Sequence, residues 1–109
     1  MHELALTQGV VDAVCEAAEG RHVEAVTVRV GVLTAVVPDA MRFCFDLVTA
    51  GTVAEGARLE IDQPAGAARC RACAADFPLD GPVLLCPCGS ADVQVVSGRE
   101  LQIVSMRVG

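Results

Sequence analysis

Six cysteines and one histidine-bearing terminus carry most of the chemistry this chain can do. Cys70-x-x-Cys73 is followed, after twelve residues, by Cys86-Pro-Cys88-Gly89-Ser90. Two close thiol pairs on two turns, separated by a hairpin-sized segment, is the zinc-ribbon arrangement, and four thiolates make a closed tetrahedral Zn²⁺ site. Such a site has no open position, so its expected role is structural. A redox role would need the strand-then-helix setting that lowers a thiol pKa, which Cys70-x-x-Cys73 lacks. The second pair is one residue shorter than the usual C-x-x-C knuckle. Gly89 would let the backbone turn tightly enough for amides to point at sulfur.

The other candidate is Met1-His2-Glu3. The α-amine of Met1, the amide nitrogen of His2 and its imidazole can close successive five- and six-membered chelate rings around one metal. That chelation requires loss of the amide proton, which Ni²⁺ and Cu²⁺ promote and Zn²⁺ generally does not; both favour tetragonal nitrogen-and-oxygen sites. Glu3 adds a carboxylate or an amide nitrogen. It is also favourable in the first turn of a helix whether or not a metal binds. Cys15 and Cys44 stand apart on predicted helices and read as core cysteines. His22 reads as a solvated residue after the first helix.

Bulk properties narrow the function. With 109 residues, 53% of them hydrophobic, the chain can build one domain, or one domain carrying a small metal-stapled lobe. Aromatics are few, three Phe with no Tyr or Trp, so the core must come from Val, Leu, Ile and Ala. The net charge is −6 and all eight basic residues are Arg, with no basic run. That argues against nucleic acid as a partner, since phosphate binding wants a positive patch. No leader-like segment and no apolar run near the roughly 20 residues of a membrane span is present, so the expectation is a cytoplasmic protein with reduced thiols and no membrane partner. No nucleophile–base pair, Gly-rich phosphate loop or open zinc with a general base stands out, and the expectation is a protein that is not an enzyme.

The elements that must position these groups are legible as periodicities. Leu4, Val11, Val14 and Ala18 recur at helical steps over residues 4–19, with Gly20 as the stop. Val26, Val28, Val30 and Val32 alternate with polar residues or glycine over 23–32, as a half-buried strand does. Pro38 opens a helix over 38–50, in which Met41, Phe45 and Val48 form a stripe that Phe43 and Leu47 widen, so that the helix should be well buried. A second strand covers 57–63, with Leu59 and Ile61 inward. Residues 67–92 have little periodicity and hold the four cysteines, Phe77, Pro78 and an Asp80-Gly81-Pro82 turn. Residues 93–96 and about 100–108 read as strands joined by a Ser97-Gly98 turn. In the last strand Leu101 and Ile103 share one face and Val104, Met106 and Val108 the other, which suggests a bulge or burial on both faces. The fold class expected is α/β: a small mixed sheet with two helices, and a zinc-ribbon-like lobe inserted between strands. The expected domains are 1–66 with 93–109 for the α/β part and 67–92 for the zinc-binding lobe.

Met1-His2-Glu3-Leu4 opening a helix, Val28-Arg29-Val30-Gly31, the helix start from Pro38 to Phe45, Gly51-Thr52, Cys70-x-x-Cys73, Cys86-Pro87-Cys88-Gly89-Ser90 and Gly98-Arg99-Glu100-Leu101 together resemble the HypA/HybF family over the full length. The resemblance departs from the family pattern at one point, where Cys86-Pro87-Cys88 stands for the usual Cys-Pro-x-Cys. It implies a nickel-insertion chaperone for [NiFe]-hydrogenase maturation, some members of the family also serving urease. It further implies nickel, Ni(II), carried at Met1, His2 and Glu3, and zinc, Zn(II), held by Cys70, Cys73, Cys86 and Cys88. The partners implied are a HypB-type GTPase and the hydrogenase large-subunit precursor, with the oligomeric state left open. The alternative is a zinc-ribbon protein-interaction module without nickel delivery.

Overall fold

The computed structural model describes residues 2–79 and 83–109, so Met1 and the expected Asp80-Gly81-Pro82 turn lie outside the described residues. Two helices and six strands follow in the order α1 (His2–Ala18), β1 (Val23–Val30), α2 (Pro38–Thr49), β2 (Arg58–Asp62), β3 (Gly66–Cys70), β4 (Asp76–Leu79), β5 (Val93–Ser97) and β6 (Leu101–Val108), with a short 3₁₀ turn at Val32–Thr34. The α/β class with two helices and small sheets is as expected. The strands, however, form two three-stranded sheets, β2-β1-β6 and β4-β3-β5. The chain divides into two compact units, one of residues 1–28, 36–61 and 102–109, the other of residues 29–35 and 62–101.

The first unit contains both helices. Val11, Val14 and Ala18 of α1 are buried as their spacing predicts, but Leu4 is exposed and Glu3 and Thr7 are buried in its place. The seven-residue step from Val11 back to Leu4 drifts by about 20° on a straight helix, while steps of three and four from Glu3 through Thr7, Val10 or Val11 and Val14 hold one face. The buried Thr7 hydroxyl is satisfied locally, donating to the Glu3 carbonyl at 2.6 Å. Glu19 and Gly20 turn left-handed at the helix end, and Arg21 N–H donates to the Ala18 carbonyl at 3.0 Å.

Helix α2 begins at Pro38, and its N-cap, Val37, offers no side-chain cap. Met41, Phe45 and Thr49 are buried and Val48 is half-buried. Phe43 and Leu47, expected to widen the buried stripe, are instead 66% and 59% exposed. At 100° per residue each lies about 200° from Phe45, on the far side of the helix, so burying them would require protein on both faces.

Val26, Val28 and Val30 of β1 are buried, and the alternation stops at Gly31, so that Val32 is exposed in the 3₁₀ turn. Strand β6 lies at one edge of its sheet. Gly109 N–H donates to the His22 carbonyl at 2.9 Å and Arg107 pairs with Glu24 at 3.5 Å, so β6 runs antiparallel to β1. Of the two alternatives for β6, a bulge or burial on both faces, the second is not found: no residue of the strand is fully buried.

The second unit is built on β3. It pairs antiparallel with β4, Gly66 opposite Leu79 and Arg69 opposite Asp76, and with β5, Cys70 opposite Val93, with an irregularity between Ala67 and Ala68. The expected hairpin of 93–96 with 100–108 does not form: β5 pairs with β3 and β6 with β1, and the chain leaves the β3 sheet at Gly98, whose φ is +106°. Ala68, Cys70, Phe77, Leu79 and Cys86 make the core, flanked by Leu33, Leu84, Val93 and Val95.

Candidate metal centre

The β3–β4 hairpin and the loop before β5 each present two thiols. In the first knuckle, Ala74 N–H donates to the Cys70 carbonyl and Cys70 N–H to the Ala75 carbonyl, both at 2.9 Å. This tight reversal is possible because Ala74 takes a left-handed φ of +62°. In the second, Gly89 N–H donates to the Cys86 carbonyl at 2.8 Å and Cys86 N–H to the Ser90 carbonyl at 2.9 Å, with Gly89 at φ +97°. The residue that turns the chain is a glycine in one knuckle and an alanine in the other. Only the glycine is a signal that sequence reasoning could use.

The four sulfurs come together. All lie within 4.8 Å of one another, with Cys70 Sγ 3.8 Å from Cys88 Sγ and Cys73 Sγ 3.6 Å from Cys86 Sγ. Sulfurs at Zn–S distances of about 2.3 Å on a tetrahedron are about 3.8 Å apart, so the cluster fits zinc closely. The short Cys86-Pro87-Cys88 pair takes part fully. Cys88 N–H points at Cys86 Sγ at 3.4 Å, as Cys73 N–H points at Cys70 Sγ at 3.4 Å, so each knuckle supplies an amide to sulfur. Cys70 and Cys86 are buried, while Cys73 and Cys88 are exposed.

The protonation pattern is that of a site built for a dication. The Cys73 N–H, more than any other neighbour, draws the Cys70 thiol down to about 6. At Cys86 the Cys88 N–H also pulls down, but burial and the surrounding Cys88, Cys73 and Cys70 sulfurs outweigh it and push the thiol up to about 12. The first thiolate forms easily, and the last is opposed by the negative charge already gathered. A bound cation removes that opposition.

Arg71 clasps the two knuckles. Its N–H donates to the Asp92 carbonyl at 2.9 Å, and its guanidinium reaches the Asp92 carboxylate at 3.1 Å and the Val93 carbonyl at 3.2 Å. Arg69 makes a two-pronged bond to Asp76 at 2.8 and 3.2 Å across β3 and β4. Neither arginine stands out in the sequence, because both partners are distant or unremarkable exposed charges.

At the other candidate, Met1 is outside the described residues and only the helical backbone of His2 is described. Glu3 is buried in the first turn of α1, and its Oε2 accepts the Val37 N–H at 3.2 Å. Cys15 and Cys44 are half-buried on α1 and α2 and take no part in the sulfur cluster.

The family profile described as HypA, hydrogenase/urease nickel incorporation, metallochaperone, matches residues 1–108. The hydrogenase maturation factor HypA of Geobacter sulfurreducens is 47% identical over 109 residues, covering 99% of each chain. That of Nostoc punctiforme is 45% identical over 108 residues, covering 99% of this chain and 96% of its own. The solution structure of the Ni metallochaperone HypA from Helicobacter pylori shares the fold at a TM-score of 0.70 and 23% identity, over 99% of this chain and 97% of that one. With a profile match and close relatives that both span essentially its whole length, the chain belongs to the HypA family of nickel-incorporation metallochaperones.

Proposed function

We propose that this protein binds Ni(II) through Met1, His2 and Glu3 and delivers it to the large-subunit precursor of a [NiFe]-hydrogenase, with urease as a second recipient class. Zinc on Cys70, Cys73, Cys86 and Cys88 holds the unit built on β3 in shape, and nickel belongs to the unit that carries α1 and α2. The observation that carries the reading is the family match, which begins at residue 1 and so takes in the nitrogen-rich terminus. Chemistry supports it. A chelate made by a chain end has few protein ligands, so a recipient can displace them one at a time without unfolding the donor. The closed four-sulfur cluster is suited to keeping its metal, not to passing it on. A HypB-type GTPase is the partner this reading assigns to nickel supply, and the cytoplasm, where thiols stay reduced, its compartment.

The test is titration of Ni²⁺ into zinc-loaded, untagged protein with an authentic Met1, beside the His2→Ala variant. One-to-one binding that the variant loses supports the reading. Because ligands must be deprotonated, affinity should also fall as pH drops through about 6.5, the ordinary histidine value. Equal binding in both proteins, or none in either, leaves a zinc-ribbon interaction module without nickel delivery.

A further inference from the structure

The four sulfurs of the cluster differ in access in a pattern that zinc binding alone does not require. Cys73 and Cys88, one from each knuckle, are exposed, and Cys70 and Cys86 are buried. Each exposed sulfur has a buried sulfur of the other knuckle beside it. Cys73 Sγ lies 3.6 Å from Cys86 Sγ, and Cys88 Sγ lies 3.8 Å from Cys70 Sγ. A bound zinc keeps its cysteine ligands as thiolates. A thiolate that solvent reaches is the form that oxidants attack. A second thiolate in contact with it, itself out of reach, is placed to resolve the product.

We propose that this cluster is a modification site for hydroperoxides, which convert it from a zinc staple into two disulfides, Cys73–Cys86 and Cys70–Cys88. The Cys73 thiolate attacks one oxygen of hydrogen peroxide; the S–O bond forms, the O–O bond breaks and hydroxide leaves. The Cys86 thiolate then attacks the sulfenic sulfur; the S–S bond forms, the S–O bond breaks and a second hydroxide leaves. The two sulfurs have given two electrons to one peroxide, and the hydroxides take protons from solvent. Cys88 and Cys70 repeat the sequence with a second peroxide, and zinc, left without thiolate ligands, departs as the hydrated ion. Other pairings fit less well. A disulfide between Cys86 and Cys88 would close a ring across Pro87 alone, whose φ is fixed, and would be strained. Joining Cys70 to Cys86 would need peroxide to reach a buried sulfur first. The sulfurs of a disulfide are about 2.05 Å apart, so each favoured pair has less than about 2 Å to close. The frame around them does not depend on the metal. Cys70 and Cys86 sit in one core with Ala68, Phe77 and Leu79, and Arg71 ties the knuckles through Asp92 and Val93. The new bonds close one loop inside the other, restraining the chain as zinc did.

Titration of the zinc-loaded full chain, freed of excess metal and reductant, with hydrogen peroxide tests this, a metallochromic indicator following the zinc. About one zinc should appear for every two peroxides consumed by the cluster. Tandem mass spectrometry after cleavage at arginine and aspartate should find Cys73 joined to Cys86 and Cys70 to Cys88 within one chain. Far-UV circular dichroism should stay native throughout, and a dithiol reductant with Zn²⁺ should restore the starting protein. Cys15→Ser combined with Cys44→Ser, which removes the thiols outside the cluster, should release zinc at the wild-type rate. Cys88→Ser should still form Cys73–Cys86 and leave Cys70 as a free thiol. Zinc retained while peroxide is consumed, any other pairing, sulfinic acid as the main product, an oxidised chain that unfolds, or release lost in the Cys15 and Cys44 variant overturns the proposal.

Discussion

Oε2 of Glu3 accepts the backbone N–H of Val37 at 3.2 Å, so that the first turn of α1 caps α2. Helix α2 has no side-chain cap of its own at Val37. In a capping box the helix's own third residue reaches back to the N-cap N–H; here a glutamate from another helix fills that place. Glu3 is therefore committed to the fold through one carboxylate oxygen whatever its other atoms bind. Glu3→Ala should lower the thermal midpoint of nickel-free, zinc-loaded protein by a few degrees, and Glu3→Gln, whose amide oxygen still accepts from Val37, by clearly less. Thermal unfolding by circular dichroism measures both. If the two variants unfold alike at the wild-type temperature, the cap does not hold α2, and any loss of nickel binding in Glu3→Ala reports a ligand alone.

Gly31 and Gly98 meet backbone to backbone. A Cβ on Gly31 would stand 2.1 Å from the carbonyl carbon and oxygen of Gly98, and one on Gly98 would stand 2.7 Å from Gly66 Cα. Main chain cannot rotate away as a side chain can, so Gly31→Ala should destabilise by at least the roughly 1–3 kcal/mol typical of overpacking. Gly9 is the contrast: it lies inside α1, and a methyl group there would meet nothing within 4 Å, so Gly9→Ala should stabilise by about 0.5–1 kcal/mol through helix propensity. Urea midpoints for the two variants should move in opposite directions.

Much of this was legible in the residues. The four cysteines announced their cluster because metal ligation constrains type and spacing together, and Pro38 marked the start of α2 because its fixed φ and missing N–H suit that position. Val26, Val28 and Val30 showed their strand by period two. Pairing between strands was less accessible. Nothing local in Val93–Ser97 says that it joins β3 and not the following strand, because β propensity is indifferent to partner. Hydrophobicity also misled at Phe43, Leu47 and Val104, where apolar side chains suggested burial and the structure leaves them exposed. An apolar residue's presence inside is not guaranteed by its type, as a large part of any protein surface is apolar. Ala74 at φ +62° had no signal at all.

Phe43 and Phe45 are two residues apart on α2 and should differ sharply in cost. Phe45 is fully buried, so Phe45→Ala should lose about 3–5 kcal/mol, the range for emptying a core phenylalanine site. Phe43 faces outward, and Phe43→Ser should fall within about 0.5 kcal/mol of wild type. Chemical denaturation of the two single variants compares them directly. Equal losses would mean that the outer face of α2 is covered in solution.

The thiol cluster makes the metal-free protein respond to pH in a way the zinc-bound protein should not. The Cys70 thiol, drawn by the Cys73 N–H from 9.0 to about 6, holds fewer protons folded than unfolded between those values. Its contribution to stability is therefore complete above 9.0 and is lost as pH falls through 6. Cys86 is the reverse. The Cys88 N–H favours its thiolate, but burial and the neighbouring sulfurs prevail and raise it from 9.0 to about 12, so it holds more protons folded than unfolded in that range. Its contribution is complete below 9.0 and is lost as pH rises through 12. The urea midpoint of chelator-treated protein, kept reduced, should rise from pH 6 to a maximum near 9 and decline beyond it. Zinc fixes all four sulfurs as thiolates, so the loaded protein should be more stable across the neutral range and should lose that advantage only where acid strips the metal. Cys88→Ser should reduce the zinc-dependent gain while keeping a dome in the metal-free curve. A metal-free curve that is flat from pH 6 to 9 would mean that Cys73 N–H does not reach Cys70 Sγ before the metal arrives.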